Sequence, residues 1–198
     1  MIKTKKIKID NTIYEAKLDF RTAIECDRIA RDETIGDFER VLGIICTLYG
    51  ESAINNEEHY ERLVKWALKY LSFGKEVKAT NEEPDMDYIE DENYIKSSFK
   101  YDYKYNPYEE EFVSWEDFFN DLNNLSNSDI GNCCVLNRVR YLRNLDLSEI
   151  KDEKLRAKIK KAKESVALKK SKQIQKPTEK ELESAKNFFK LLNKGKEW

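Results

Sequence analysis

Residues 114–125, SWEDFFNDLNNL, constrain the fold more than any other stretch of the chain. Ser114 and Asp117 have the spacing of a capping box, so a helix starts here. Trp115, Phe118, Phe119, Leu122 and Leu125 then recur at i, i+3, i+4, i+7 and i+10, an unbroken apolar stripe at helical period. The simplest place for such a stripe is a core, and the chain around it has to supply the other walls. Just ahead lies an acidic, tyrosine-rich run with Ile95 and Phe99 at i,i+4 and Tyr88, Tyr94 and Tyr101 around them. Asp87 is expected to cap that helix. Asn106-Pro107 ends it, because the residue before proline avoids the helical region.

Six glycines and three prolines in 198 residues favour long helices over a many-turned β fold. The expected class is mainly α: about seven helices with a short N-terminal β-hairpin. Residues 5–18 supply the hairpin, turning at Asp10-Asn11, two residues that tolerate a left-handed conformation. That turn sets Ile7 opposite Tyr14 and Lys5 opposite Ala16, and puts Ile7, Ile9, Tyr14 and Ala16 on one face. A helix over 19–32 follows, with Phe20, Ala23, Ile24 and Ile29 inward. The next is expected to open at Thr34 with Asp37, carries Phe38, Val41, Leu42, Ile45, Leu48 and Tyr49, and stops at Gly50. A third opens at Asn55 with Glu58 and stops at Gly74, its apolar surface widened by Trp66 and Tyr70.

After the aromatic helix, Asp129 opens one whose apolar residues point nearly all round, from Ile130 through Cys133, Cys134, Leu136 and Val139 to Leu145. It is expected to be the most buried helix of the second half. A lysine-rich helix over 148–172 carries only the thin stripe Leu155, Ile159, Ala162 and Val166, and could project or lie on a partner. Thr178 and Glu181 begin a last helix with Leu182, Phe188, Phe189 and Leu192. The organisation read from this is 1–74 as hairpin plus helical subdomain, 75–86 as acidic linker, 87–147 as central helical subdomain, and 148–198 as basic C-terminal helices.

Net charge is only −2, but residues 81–121 hold 14 Asp or Glu against three Lys, while 151–180 hold 12 Lys or Arg against four acids. No apolar run reaches the roughly 20 residues of a membrane helix, and MIKTKKIKID lacks the apolar region of a secretion signal. The expected setting is therefore cytosolic. Cys26, Cys46, Cys133 and Cys134 show no CxxC spacing and read as reduced thiols.

No constellation for bond chemistry emerges, and the chain reads as non-enzymatic. The lone histidine, His59, falls in an exposed-looking first helical turn without a second histidine or cysteine to share a metal. There is no GxSxG, GxGxxG or GxxxxGK[ST]. Asp87, Asp91, Asp102 or Glu109 could be combined into an acid pair, but clustered acids on helices are more often solvated or paired. No cofactor is expected.

Asp87, Ile89, Asp91, Tyr94, Ile95 and Phe99 lead into Tyr101 and Tyr103, then Trp115 and Phe118, then Leu122 and Leu125, then Arg138 and Arg140, then a lysine-rich helix. This order resembles the small tail assembly chaperone family of long-tailed bacteriophages and prophages, encoded beside the tape-measure protein. Asp19-Phe20-Arg21 after the hairpin, and the helix pair ending at Phe73-Gly74, also look like that family, so the likeness spans about 5–170. Ser114 stands where the family commonly has His or a second aromatic. Residues 104–107 lack the glycine it tends to carry there, and the helix from Thr178 lies outside the pattern.

The resemblance implies a non-enzymatic assembly factor in the host bacterial cytoplasm. Such a factor binds the tape-measure protein, helps recruit tail-tube subunits, and is absent from the finished particle. Candidate contact residues are Tyr94, Phe99, Tyr101, Tyr103, Trp115, Phe118, Lys160 and Lys163. Self-association through the segregated charges is a further expectation. Two alternatives stand beside it: a structural tail or connector component retained in the virion, and a nucleic-acid-binding regulator using 151–180. Aromatic residues are not interleaved among those lysines, as base stacking requires.

Overall fold

In a computed structural model of the chain, the described residues are 3–75, 84–126 and 133–169. They divide into two compact units, 3–75 in one and the remainder in the other. Among them are seven α-helices and one antiparallel hairpin, so the protein is mainly α. The helix expected from Thr178, and most of the 75–86 segment, lie outside the described residues.

In the first unit, β1 (Thr4–Ile9) pairs with β2 (Thr12–Lys17), with Ile7 opposite Tyr14 and Lys5 opposite Ala16 as the alternation requires. Asp10 makes the turn at φ 53°. Ile9, Tyr14 and Ala16 are buried, with Ile7 half-buried beside them, and this face packs on the helices that follow. Asp19 caps α1 (Phe20–Ala30) by accepting the Arg21 N–H at 2.9 Å.

Helix α2 (Asp37–Tyr49) starts later than the Thr34 pattern implies. Gly36 is the N-cap, its N–H donating to Glu39 Oε2 at 2.6 Å, while Thr34 turns back onto Asp32. A shorter local loop competed successfully for the Thr34 hydroxyl. Gly43 lets α1 and α2 approach closely: a Cβ there would sit 3.0 Å from Ile29 Cγ2. Gly50 ends α2 at φ 90°.

Between α2 and α3 (Tyr60–Leu71) the chain makes two 3-10 turns over 51–59, so the third helix begins five residues after Asn55. Tyrosine hydroxyls tie these elements together. Tyr49 donates to the Leu63 carbonyl (2.8 Å), Tyr60 to that of Ile54 (2.5 Å) and Tyr70 to that of Leu18 (3.1 Å). Trp66 stacks on Tyr70 with ring centroids 5.2 Å apart, and both lie against the core. Phe38 and Leu68, expected inward, are exposed.

The second unit is built on α4 (Glu92–Asp102), α5 (Trp115–Asn123) and α6 (Val135–Asn144). Ser114 caps α5 as its spacing requires: the Asp117 N–H donates to Ser114 Oγ at 3.0 Å. Trp115, Phe118, Leu122 and Leu125 are buried, and Phe118 stacks on Phe99 at 5.5 Å. The start of α4 differs from expectation. Asp87 accepts N–H bonds from Ile89 and Glu90 in a preceding turn, and the helix begins only after Asp91. Lys104, in the segment where the resembled family tends to carry glycine, sits at φ 63°, a backbone conformation that favours glycine.

Helix α6 is not the buried centre that its composition suggested. Cys134 is extended at its N-cap, Leu136 and Val139 are buried, and Tyr141 is exposed. The helix borrows a cap from its neighbour: the Leu136 N–H donates to the buried Ser98 Oγ of α4 at 3.0 Å.

Helix α7 (Glu153–Ser165), the lysine-rich one, buries no residue. Its C-terminal part is held to the same unit by Lys163 Nζ on the Leu145 carbonyl (2.9 Å) and by Arg143 Nε on the Val166 carbonyl (2.7 Å).

Candidate interaction surface

The acidic run carries most of the polar construction in the second unit. Asp91 is 1 % exposed, and both its carboxylate oxygens accept from Arg143, Oδ2 from Nη1 at 2.6 Å and Oδ1 from Nη2 at 2.7 Å. This bidentate geometry is the strong form of a charged hydrogen bond. Arg143 Nη1 also donates to the Asp85 carbonyl at 2.8 Å, while Arg140 and Asn144 donate to the Asp85 carboxylate, each at 3.1 Å. The Asp91 carboxylate holds the Arg143 guanidinium more firmly protonated than usual, against the opposing effect of burial.

Other acids close loops. Asp102 accepts both the N–H and the hydroxyl of Ser126, at 2.7 and 2.9 Å. Asp121 accepts the Tyr105 hydroxyl at 2.6 Å on its carboxylate and the Tyr103 hydroxyl at 2.9 Å on its carbonyl. Burial, then the hydrogen bond to Asp121, pushes the Tyr105 phenol well above its ordinary value. Glu109 accepts from Asn106. The four acids that could have been combined into a pair, Asp87, Asp91, Asp102 and Glu109, are each engaged in a cap, an ion pair or a loop closure.

The proposed contact residues separate sharply once placed. Phe99, Trp115 and Phe118 are in the core: Phe118 stacks on Phe99 and on Trp115, and Tyr88, Tyr103 and Tyr108 meet these rings edge to face. In this conformation they offer no surface to a partner. Tyr94 and Tyr103 are half-buried, and Lys163 is spent on the Leu145 carbonyl. Tyr101, 61 % exposed, and Lys160 remain on the surface. The structure adds three exposed apolar side chains of the same unit: Ile89, Tyr141 and Leu155.

His59 was expected on the surface and is instead 4 % exposed. Its Nδ1 lies 2.6 Å from the Tyr14 hydroxyl, which also accepts from Asn56 Nδ2 at 3.0 Å. Its Nε2 lies 3.4 Å from Asp10 Oδ2, and Arg62 pairs with the same carboxylate. The ring thus joins the hairpin turn to the start of α3. Nothing local marks this, since Tyr14 is 45 residues away. The Asp91–Arg143 pair spans 52 residues, and Arg143 shares its helix with Arg138 and Arg140, so no local pattern singles it out.

Burial of the Cys26 thiol raises its pKa to about 12, and Cys26, Cys46 and Cys134 are free thiols. Among the described residues no group of three or more His, Cys, Asp or Glu could hold a metal ion, and no helix is long and apolar enough to cross a membrane.

Fold and polar construction together define a helical protein with an N-terminal hairpin, whose buried acids are structural and which leaves apolar side chains and a basic helix on its surface. The family model described as Bacteriophage Gp15 protein matches residues 3–168, and the chain belongs to that family. It is a bacteriophage protein, as the resemblance implied. No curated protein and no solved structure matches it.

Proposed function

We propose that this phage protein is a non-enzymatic tail assembly chaperone, acting in the host cytoplasm on the tape-measure protein and helping tail-tube subunits assemble around it. The reading rests first on phage-family membership across 3–168, nearly the span over which the chain resembles tail assembly chaperones. The surface is compatible with it. Ile89, Tyr101, Tyr141 and Leu155 are large apolar side chains left in solvent on the unit around α4 to α6. A long amphipathic client has to hide its apolar stripe until tube protein covers it, and side chains of this kind can do so.

Co-expression with the tape-measure protein encoded in the same phage tests the reading directly. A soluble complex recovered by pull-down is the expected result, weakened in a Tyr101→Ser/Tyr141→Ser variant. A tape-measure protein equally soluble without this chain, and not retained by it, overturns it. Mass spectrometry of purified virions separates a chaperone, which is absent, from a structural tail component, which is present.

A further inference from the structure

The hydrogen bonds around His59, the only histidine in the chain, have a direction. Asn56 Nδ2 donates to the Tyr14 hydroxyl at 3.0 Å, and that hydroxyl turns its own proton to His59 Nδ1, 2.6 Å away. The ring is then neutral, with its proton on Nε2, which lies 3.4 Å from Asp10 Oδ2. The run Asn56, Tyr14, His59, Asp10 thus passes from the turn ahead of α3 into β2, back to the ring, and on to the hairpin turn. The His59 N–H donates to the Asn56 carbonyl at 3.0 Å, so one short turn holds both ends of the tie on the α3 side.

Titratable and charged groups reach this site from each element around it. The hairpin supplies Asp10 and Tyr14, and α3 supplies Arg62, which pairs with the same carboxylate, with Glu58 acting on Arg62. From α2, Tyr49 meets Tyr14 edge to face at 6.3 Å, its hydroxyl already bonded to the Leu63 carbonyl, and Tyr60 is bonded to that of Ile54. An imidazole takes up its second ring proton between about pH 8 and 5. Here that proton falls on Nδ1, against a hydroxyl that already accepts from Asn56 and then has lost the acceptor for its own proton. The Tyr14–His59 contact is buried, where an unanswered donor is costly. Asp10 favours the charged ring, but its side chain is 61 % exposed and shared with Arg62, so water and guanidinium both weaken its pull.

We propose that His59 is an acid-released latch: the neutral ring ties the hairpin to the start of α3, and protonation of the ring frees the hairpin from the helices. The latch lies wholly within residues 3–75 and is independent of the assembly reading.

Nuclear magnetic resonance of the full chain tests it, because a single histidine gives one ring titration. Hydrogen-exchange protection of the hairpin amides, relative to those of α4 and α5, should fall about ten-fold or more from about pH 7.5 to about pH 5.5. The midpoint of that fall should coincide with the His59 ring titration. In His59→Gln, whose amide accepts from Tyr14 and donates to Asp10 at any pH, the ratio should stay constant. The parent titration decides the matter even where the variant does not fold. A ring that titrates while hairpin protection stays level overturns the proposal. So does protection that rises in acid, which would mean that Asn56 turns its amide over and the charged ring grips Asp10. A ring that stays neutral down to about pH 5 overturns it as well.

Discussion

In the unit of residues 3–75 the buried polar groups are a histidine ring and tyrosine hydroxyls, answered by an asparagine, backbone carbonyls and one exposed carboxylate. In the unit around α4 to α6 the central polar contact is a full ion pair, Asp91 with Arg143, whose side chains are 1 % and 9 % exposed. The two interiors should therefore fail differently. A neutral hydrogen bond contributes about 1 kcal/mol net when intact. A buried ion pair contributes little over an apolar replacement, yet leaves an uncompensated charge when one partner is removed, at a cost of about 3–5 kcal/mol. Neutral ties tolerate single changes, and ionic ones do not.

The sharpest way to break this contrast is Asp91→Ala, expected to lower stability by about 3–5 kcal/mol in urea unfolding. The double variant Asp91→Leu/Arg143→Met should recover most of that loss, and a double variant as unstable as the single would refute the account. Next comes Gly43→Val in the first unit, where the added side chain meets Ile29. Overpacking costs about 1–3 kcal/mol, and valine recovers only part of glycine's poor helix propensity, so a net loss of about 1–2 kcal/mol is expected.

Tyr14→Phe removes the hydroxyl between Asn56 and His59 and should cost about 1–2 kcal/mol, less than the Asp91 effect. A loss as large as that of Asp91→Ala would erase the distinction between the two interiors.

The smallest test uses pH. The hydrogen bond from Arg62 holds the Asp10 carboxyl below its ordinary 3.8, with His59 adding to the effect. A lowered folded-state value contributes stability above the unfolded value, lost as pH falls through the folded one. Asp10→Asn should thus flatten the dependence of stability on pH below about 4. An identical acid limb in parent and variant would show that the Arg62 contact does not matter in solution.

Much of the local architecture was legible in the residues. Alternation fixed which hairpin residues face inward, and the Asp10 turn set the register that pairs Ile7 with Tyr14. Ser114 and Asp117 placed the start of α5 to the residue, and Gly50 placed the end of α2. Where two local options competed, the reading slipped. Thr34 was read as the start of α2, but it turns back onto Asp32 and Gly36 caps the helix; Asp87 was read as the cap of α4, but it closes the turn ahead and the helix starts after Asp91. Choosing between such caps depends on what the side chain finds next to it.

Of the candidate contacts, periodicity identified the aromatic residues of α4 and α5 but could not assign them to core or surface, because a ring stacked inside a protein and one awaiting a partner share the same spacing. The sequence by itself determined the hairpin, the helical stripes, the caps set by neighbouring residues and the separation of acidic from basic segments, since each depends on residues a few positions apart. Only the tertiary structure decided that Phe99, Trp115 and Phe118 are core, that His59 is buried, that Asp91 meets Arg143, and that Leu155 is left uncovered. Those outcomes join side chains many residues apart, and the free energy of such a contact depends on burial and geometry that no local pattern encodes.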